Sequence, residues 1–382
     1  MTEKLYDIDS HLAQFEAKVL SCKKAGENYE IILDKTAFFP EGGGQSSDIG
    51  FLNDIEVFDV QEIDGEIIHF SHLPLKETEK VKGKINFERR FDFMQQHSGE
   101  HIVSGIAHSL YGCENVGFHL SEDIVTLDFD KILTKEQLLI IENLCNETVL
   151  KNKRFFTYYP EKEKLSNLKY RSKKELKGDI RIVEIEDTDM CACCAPHVKS
   201  AAEIGIIKLL DTEKIRGGIR IELKCGKRAL LDYNDKYNNV YDISCKLAVK
   251  QTEAAEGVDK LLDSLSELKL KLTDAKRQII SFKVSHFNNY NTVTAVFEED
   301  FDIKELQHYS DALFKTFGGI RGVFSPSEDG FFFAVCGEEK ELNDFFSKFK
   351  SNFTVKGGGR NSMVQGTVFT AKENIIDFFE NN

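Results

Sequence analysis

The residues in this chain with the clearest capacity for chemistry are two histidines and a later cysteine–histidine pair. In QQHSGEHIV, His97 and His101 are four apart within a stretch, 92–110, whose apolar positions repeat with helical period. Both rings therefore leave one face and reach a common point. In CACCAPHV, Cys193 and His197 are again four apart, in a segment that Pro196 can bend. One thiolate and three imidazoles suit tetrahedral Zn2+ in number and softness. Spacing alone leaves Cys191 and Cys194 as competing ligands; Cys193 is favoured because its interval to His197 mirrors that between His97 and His101. Glu100 completes His-x-x-Glu-His, an order found in a class of zinc peptidases whose glutamate is the general base. A peptidase of that class would take a carboxylate as third ligand, which the Cys193/His197 pair does not supply. Glu100 otherwise reads as a helix-surface carboxylate, or as a candidate catalytic group that orients a water.

The second distinctive string is DKTAFFPEGGGQSSDIG. Gly42, Gly43 and Gly44 allow positive φ and a close backbone approach to a ligand, and Thr36 and Gln45 supply hydrogen-bonding groups beside it. Gln45 is a further candidate for holding an attacking water. The Gly-Lys-Ser/Thr ending of a nucleotide P-loop is missing, so phosphate cradling is not expected.

Several elements must position these groups. Residues 16–90 alternate apolar and polar side chains in short runs (29–33, 56–60, 66–70), the pattern of a small β-barrel. Helices are predicted over 92–110 and 135–151, and strands over 180–185 and 204–210. A seven-residue repeat from Tyr237 to Ile279, carried by Val258, Leu265 and Leu272 among others, predicts two antiparallel helices joined near 251–257. Strand, helix, strand and helix then follow over 291–297, 303–317, 330–335 and 340–350. The fold class is α+β: a barrel with the glycine loop over 1–90, a zinc-binding domain over 91–230, a helical hairpin or coiled coil over 231–283, and an α/β domain over 284–382.

A length of 382 residues predicts two to four domains. The nine cysteines are odd in number and three crowd into CACC, which favours metal or redox chemistry over a disulfide framework. No leader pattern and no run of ~20 apolar residues is evident, so a cytoplasmic protein without a membrane partner is expected. A net charge of −14 argues against non-specific coating of nucleic acid. The segment 151–181 departs from it, with eleven basic and four acidic residues, a local field that attracts polyanions. Lys208, Lys214, Arg216, Arg220, Lys224, Lys227 and Arg228 are further candidate phosphate contacts. A second glycine run, Gly357, Gly358 and Gly359, lies between Lys356 and Arg360, with Gln365 following. It either brings backbone close to RNA or makes a tight turn between strands at 352–355 and 366–370.

TAFFPEGGGQSSDIG, QQHSGEHIVSG, CCAPHVKSAAEIGIIKLL and GGIRIEL, in this order and spacing, resemble the editing domain of alanyl-tRNA synthetases and its freestanding relatives, the AlaX proteins. VKGGGRNSMVQG looks like the glycine-rich signature of the DHH-associated C-terminal domain of long AlaX forms. The resemblance covers nearly the whole chain. It implies zinc on His97, His101, Cys193 and His197, and it puts Thr36 and Gly42 to Gln45 around an aminoacyl group. The implied activity is hydrolysis of alanine tRNA carrying serine or glycine, without ligase activity, since the chain starts a few dozen residues before the glycine loop. A homodimer is expected from the helical repeat and the C-terminal domain. Phe39 stands at a usual Tyr position, and Cys194-Ala195-Pro196 replaces Gly-Gly-Thr or Cys-Gly-Thr, departures that bear on pocket shape. The competing readings are a zinc peptidase and a non-catalytic, zinc-containing tRNA-binding protein.

Overall fold

A computed structural model describes residues 2–122, 124–172, 180–288 and 291–382. The chain is mixed α and β, and it divides into two compact units, Met1–Tyr241 and Asp242–Asn382.

In the first unit, the alternating runs close into a barrel. Its strands are Gln14–Ala25, Asn28–Leu33, Glu66–Ser71, Ile55–Ile63, Gly50–Leu52 and Lys80–Ile85, in that spatial order. Inward positions such as Val19, Ile31, Leu33, Val57, Val60 and Val81 are buried, whereas their neighbours along each strand face out. Closure leaves no free sheet edge. His69 and Ser71 are polar among the inward groups. His69 Nδ1 donates to the Ile31 carbonyl at 3.1 Å, and its Nε2 lies 2.8 Å from Thr36 Oγ1.

After the barrel comes the helix Phe87–Tyr111. Asn86 caps it through the Arg89 N–H, and Gly112 ends it in the left-handed region at φ 60°. Every residue from Phe93 to Ala107 is buried, so the helix has no solvent face over that length. The apolar half packs with Val125, Leu127, Ile221 and Leu223 in one core. The polar half must then find partners inside the protein. Gln96 does so by pairing with Cys225 as a strand would, donating to its carbonyl at 2.9 Å and accepting its N–H at 2.7 Å. A four-stranded antiparallel sheet, ordered Ile207–Ile215, Gly218–Cys225, Val125–Phe129, Asn115–Leu120, lies against this helix, as does the helix Lys135–Leu150. A three-stranded sheet, Phe155–Tyr158, Ile182–Ile185 and Asp189–Ala192, delivers the cysteine-rich turn. The predicted strand at 204–210 starts later, at Ile207, because residues Ala201–Ile204 form a 3-10 turn.

The long repeat forms helices Gly226–Leu247 and Ala254–Ser285. In the second unit, a five-stranded sheet runs Val293–Phe297, Ile320–Ser327, Gly330–Cys336, Met363–Phe369, Thr354–Arg360, with only the first pair parallel. The strand Ile320–Ser327 has no counterpart in the sequence reading, and its first six residues are buried on both faces, which removes the alternation that betrays a strand. The turn expected at Gly357 to Gly359 is also corrected: these glycines lie inside the strand Thr354–Arg360, and the chain reverses at Asn361 and Ser362. Gly357 faces Gly366 with φ of 152° and 159° respectively, and a Cβ on Gly357 would stand 2.6 Å from the Gly366 Cα. Only glycine permits that approach.

His69 makes the barrel sensitive to acid. Burial pushes its imidazole down to about 4, whereas the unfolded chain protonates near the ordinary value of about 6.5. The unfolded state therefore binds the extra proton first as pH falls, and stability drops from pH ~6.5 until about pH 4, by about 3 kcal/mol in all. Urea unfolding at pH 7 and pH 4 should show that difference shrinking by this amount in His69→Gln. An equal pH dependence in both proteins would refute the assignment.

Candidate metal centre and glycine loop

His97 and His101 project one helical turn apart, with ring centroids separated by 5.4 Å. Cys193 follows directly on the strand Asp189–Ala192, and His197 lies four residues on. The ligand-type atoms of His97, His101, Cys193 and His197 all fall within 4.8 Å of one another. Cys193 Sγ is 3.6 Å from His97 Nε2 and 3.5 Å from His197 Nε2. A tetrahedral ion with Zn–S of about 2.3 Å and Zn–N of about 2.05 Å requires an N···S edge of roughly 3.6 Å. The donor set and its spacing fit zinc.

Two of the three outer nitrogens are hydrogen-bonded, and the third, on His101, is not. His97 Nδ1 donates to the Gln45 Oε1 at 3.0 Å, His197 Nδ1 lies 3.0 Å from Ser98 Oγ, and His101 Nδ1 faces Asp189 Oδ2 at 3.5 Å, a long contact. Partners on Nδ1 fix the His97 and His197 rings so that Nε2 points inward. The electrostatics agree. Burial alone would raise the Cys193 thiol, but the positive charge of His97 and hydrogen bonds from His101, His197 and His97 hold it well below its usual value. Burial pushes His197 down to about 3, so this ring is a neutral donor.

Of the three clustered thiols, Cys193 joins the histidines. Cys191 is buried in a separate group with His101 and Asp189, and Cys194 is exposed beside the glycine loop. Glu100 corrects the sequence reading. It is not a helix-surface carboxylate but is 1% exposed. Its Oε1 accepts from Ser104 Oγ at 2.6 Å and from Asn115 Nδ2, and its Oε2 lies 4.0 Å from His101 Nε2, the nitrogen on the cluster side.

The glycine loop closes on this cluster. Gly42 and Gln45 exchange both backbone hydrogen bonds, with Gly43 and Gly44 at φ of 63° and 84° between them, a turn type that requires two positive φ values. The Gly44 carbonyl accepts the Leu120 N–H at 2.9 Å, and a Cβ on Gly44 would lie 2.8 Å from the Phe118 carbonyl oxygen. The turn thus docks on the strand Asn115–Leu120 and carries Gln45 to His97. Gln45 Nε2 is buried without a hydrogen-bond partner among the described residues, an orphaned donor beside the cluster. Thr36 is fully buried, its hydroxyl bonded to His69 and accepting the Phe38 N–H at 3.1 Å.

Sequence reasoning missed what ties loop to helix. Arg90 and Asp48 form an ion pair with both side chains essentially inaccessible to water. Arg90 also donates to the carbonyls of Ser10 at 3.1 Å and Ala37 at 2.6 Å, and Asp48 accepts the Phe39 N–H at 2.7 Å. The only advance sign was Asp48 within SSDIG and Arg90 on the first turn of the helix.

Several expected phosphate contacts are engaged internally. Arg181 is buried and donates to the Cys193 and Ala195 carbonyls, Arg171 grips Asp189, and Arg220 and Arg228 pair with Asp128 and Asp92. Residues 173–179 of the basic segment lie outside the described residues. In the second unit, Lys356, Gly357, Gly358, Gly359, Arg360 and Gln365 sit together on one hairpin, where Lys356 Nζ lies 5.3 Å from the Phe369 ring centre.

Comparison with known proteins accords with this arrangement. Residues 180–222 match the family model described as the threonyl and alanyl tRNA synthetase second additional domain, and residues 8–89 match that of class II (A) tRNA synthetases. The chain is 31% identical over 296 residues to the alanyl-tRNA editing protein Aarsd1-A of Xenopus laevis, covering 75% of this chain and 71% of that protein. This chain belongs to the alanyl-tRNA editing family. It is also 28% identical over 396 residues to the alanyl-tRNA editing protein AlaX-L of Pyrococcus horikoshii, across 99% of this chain and 97% of that one. Against the alanine–tRNA ligase of Pyrococcus abyssi it is 30% identical over 391 residues but spans only 42% of that enzyme.

Removing one partner of a buried ion pair leaves the other charge desolvated, at about 3–5 kcal/mol. Asp48→Ala should lower the urea stability of the chain by that amount. A parental unfolding midpoint would show that Arg90 finds other compensation.

Proposed function

We propose that this protein hydrolyses the ester that joins a wrong amino acid to alanine tRNA, at a zinc ion held by His97, His101, Cys193 and His197. The observation that carries the reading is the buried convergence of one thiol and three imidazoles at zinc-compatible spacing beside a glycine turn, in a chain of the alanyl-tRNA editing family. When bound, zinc supplies a Lewis acid able to anchor an amine or polarise an oxygen ligand. Four protein ligands fill a tetrahedral site, so an amine or a water would need a fifth position or the loss of one ligand.

The surrounding groups then divide the work. Gln45 braces His97 with its carbonyl and directs a spare amide N–H toward a water or substrate oxygen. Glu100, gripped through Oε1 by Ser104 and Asn115, orients a water and takes its proton. The turn Gly42 to Gly44 admits the aminoacyl group close to backbone. Thr36 donates its hydroxyl hydrogen bond to His69, whose other nitrogen is the donor to Ile31, so toward any further partner its oxygen can only accept. Such a group welcomes the hydroxyl of a misattached serine and offers nothing to the methyl of alanine. A hydrolytic sieve is useful because a synthetic pocket separates glycine or serine from alanine by only ~1–3 kcal/mol.

For the tRNA body, the hairpin bearing Lys356, Gly357 to Gly359, Arg360 and Gln365 provides cations and a flat glycine strand for the phosphate backbone. The protein acts as a homodimer, supported by the apolar seam Val258, Leu261, Leu265, Leu268 and Leu272, which is exposed, as in a coiled-coil partner surface. No helix among the described residues is long and apolar enough to cross a membrane; the cytoplasm is the proposed place of action.

Deacylation of seryl-, glycyl- and alanyl-tRNA(Ala), with and without a chelator, tests the reading. Serine and glycine should be released, alanine largely spared, and both chelation and Cys193→Ala should abolish turnover. Peptide cleavage with indifference to tRNA, or metal binding without any turnover, would overturn it. Glu100→Gln should lower kcat by about 100-fold while metal content stays parental; an unchanged kcat would leave Glu100 a purely structural residue.

A further inference from the structure

We infer that Asp189 is a positioning residue for the metal centre: held by Arg171 and admitted by Gly105, it orients His101 and sets how tightly the site holds zinc. The inference rests on reading His97, His101, Cys193 and His197 as the ligands. Among the three rings, His97 and His197 have neutral partners on Nδ1, the Gln45 carboxamide and the Ser98 hydroxyl. His101 alone faces a carboxylate, at an ion-pair distance of 3.5 Å without a hydrogen bond. A carboxylate on the outer nitrogen makes an imidazole a stronger ligand and fixes its tautomer.

Three features show that this carboxylate is built into place. Asp189 has a side chain only 3% exposed, and a lone buried carboxylate is costly. Arg171 removes that cost with two parallel hydrogen bonds, Nε to Oδ1 at 2.8 Å and Nη2 to Oδ2 at 2.6 Å. A two-point grip fixes the carboxylate plane as well as its charge. Arg171 is itself pinned to the same strand, since its N–H donates to the Met190 carbonyl at 2.8 Å and its carbonyl accepts the Ala192 N–H at 3.0 Å. Finally, Gly105 lies one helical turn beyond His101, and a Cβ there would stand 2.6 Å from the Asp189 Cβ and 2.9 Å from its Cγ. Any other residue at 105 would push Asp189 away from the ring it supports.

His101, Asp189 and Cys191 also bring their ligand-type atoms within 4.8 Å of one another, which raises the alternative of a second metal site. Arg171 argues against it, because a guanidinium bonded to both carboxylate oxygens occupies the positions a cation would need.

The test is zinc affinity of the full chain, by competition with a chromophoric chelator, together with the visible spectrum of the cobalt-substituted protein. The parent should bind one equivalent. Asp189→Asn should bind about 10–100-fold more weakly with an altered cobalt spectrum, whereas Asp128→Asn, which removes the carboxylate paired with Arg220, should match the parent. Arg171→Lys keeps the charge without the two-point grip and should show a smaller loss in the same direction, a second reading if Asp189→Asn does not fold. Parental affinity and spectrum in both variants would overturn the inference, as would a second equivalent of zinc that disappears in Cys191→Ser. Cys193→Ser separates the two levels: if it keeps parental affinity, the ligand set itself is wrong, and if it loses zinc while Asp189→Asn does not, only the role of Asp189 falls.

Discussion

A thiol drawn well below its usual pKa and three buried imidazoles, crowded within 4.8 Å, form the constraint around which the first unit is arranged. Such a group is unfavourable in an apolar interior unless each polar atom has a partner and the charge is met. The protein meets this demand in two shells. The inner nitrogens and the sulfur face one another, the outer nitrogens of His97 and His197 bond to Gln45 and Ser98, and that of His101 faces Asp189 at 3.5 Å. Those three partners come from the glycine loop, the sheet that carries Cys193, and the helix itself. The cluster is thus the point where three separate pieces of chain are registered against one another, and displacement of any of them would strand a buried donor.

Registration of the loop is reinforced from outside the cluster. Arg90 lies on the same helix as His97, about two turns earlier, and its pair with Asp48 grips the far end of the loop that begins at Ala37. Gln45 is therefore held at one side by its bond to His97 and at the other by the Arg90–Asp48 pair through the chain. Because the helix is buried on all sides between Phe93 and Ala107, it is a rigid rod on which both grips are fixed. Precision of this order is what a site needs if it is to separate amino acids that differ by one methyl or one hydroxyl.

The legible and illegible parts of the sequence divide along physical lines. Period and spacing are local properties, and they revealed the helix bearing His97 and His101 and the runs that became barrel strands. Burial is not local. A surface position is one of two sequence readings of Glu100, because charged side chains on helices usually are exposed, but no face of this helix is free, and Glu100 turns inward to Ser104 and Asn115. The same holds for Arg171 and Arg181, whose sequence context looks basic and solvent-facing while their guanidinium groups serve a carboxylate and carbonyls inside the protein. A strand buried on both faces, Ile320–Ser327, lost its signature for the complementary reason: with no solvent side there is nothing to alternate.

The two glycine runs show why a motif constrains chemistry more than conformation. Both are three consecutive glycines followed within a few residues by glutamine, yet they meet different demands. At Gly43 and Gly44 the backbone is left-handed, and the turn exists to bring Gln45 against His97. At Gly357 to Gly359 the chain is a strand, and the missing side chains allow it to lie close against its neighbour, where Gly366 answers Gly357. The first run turns the chain toward His97, whereas the second leaves a side-chain-poor strip flanked by Lys356 and Arg360. A pocket selects by volume and hydrogen bonding; a bare strip with cations at its ends selects by charge and backbone shape. One residue type thus serves a tight turn in one unit and a close strand pairing in the other.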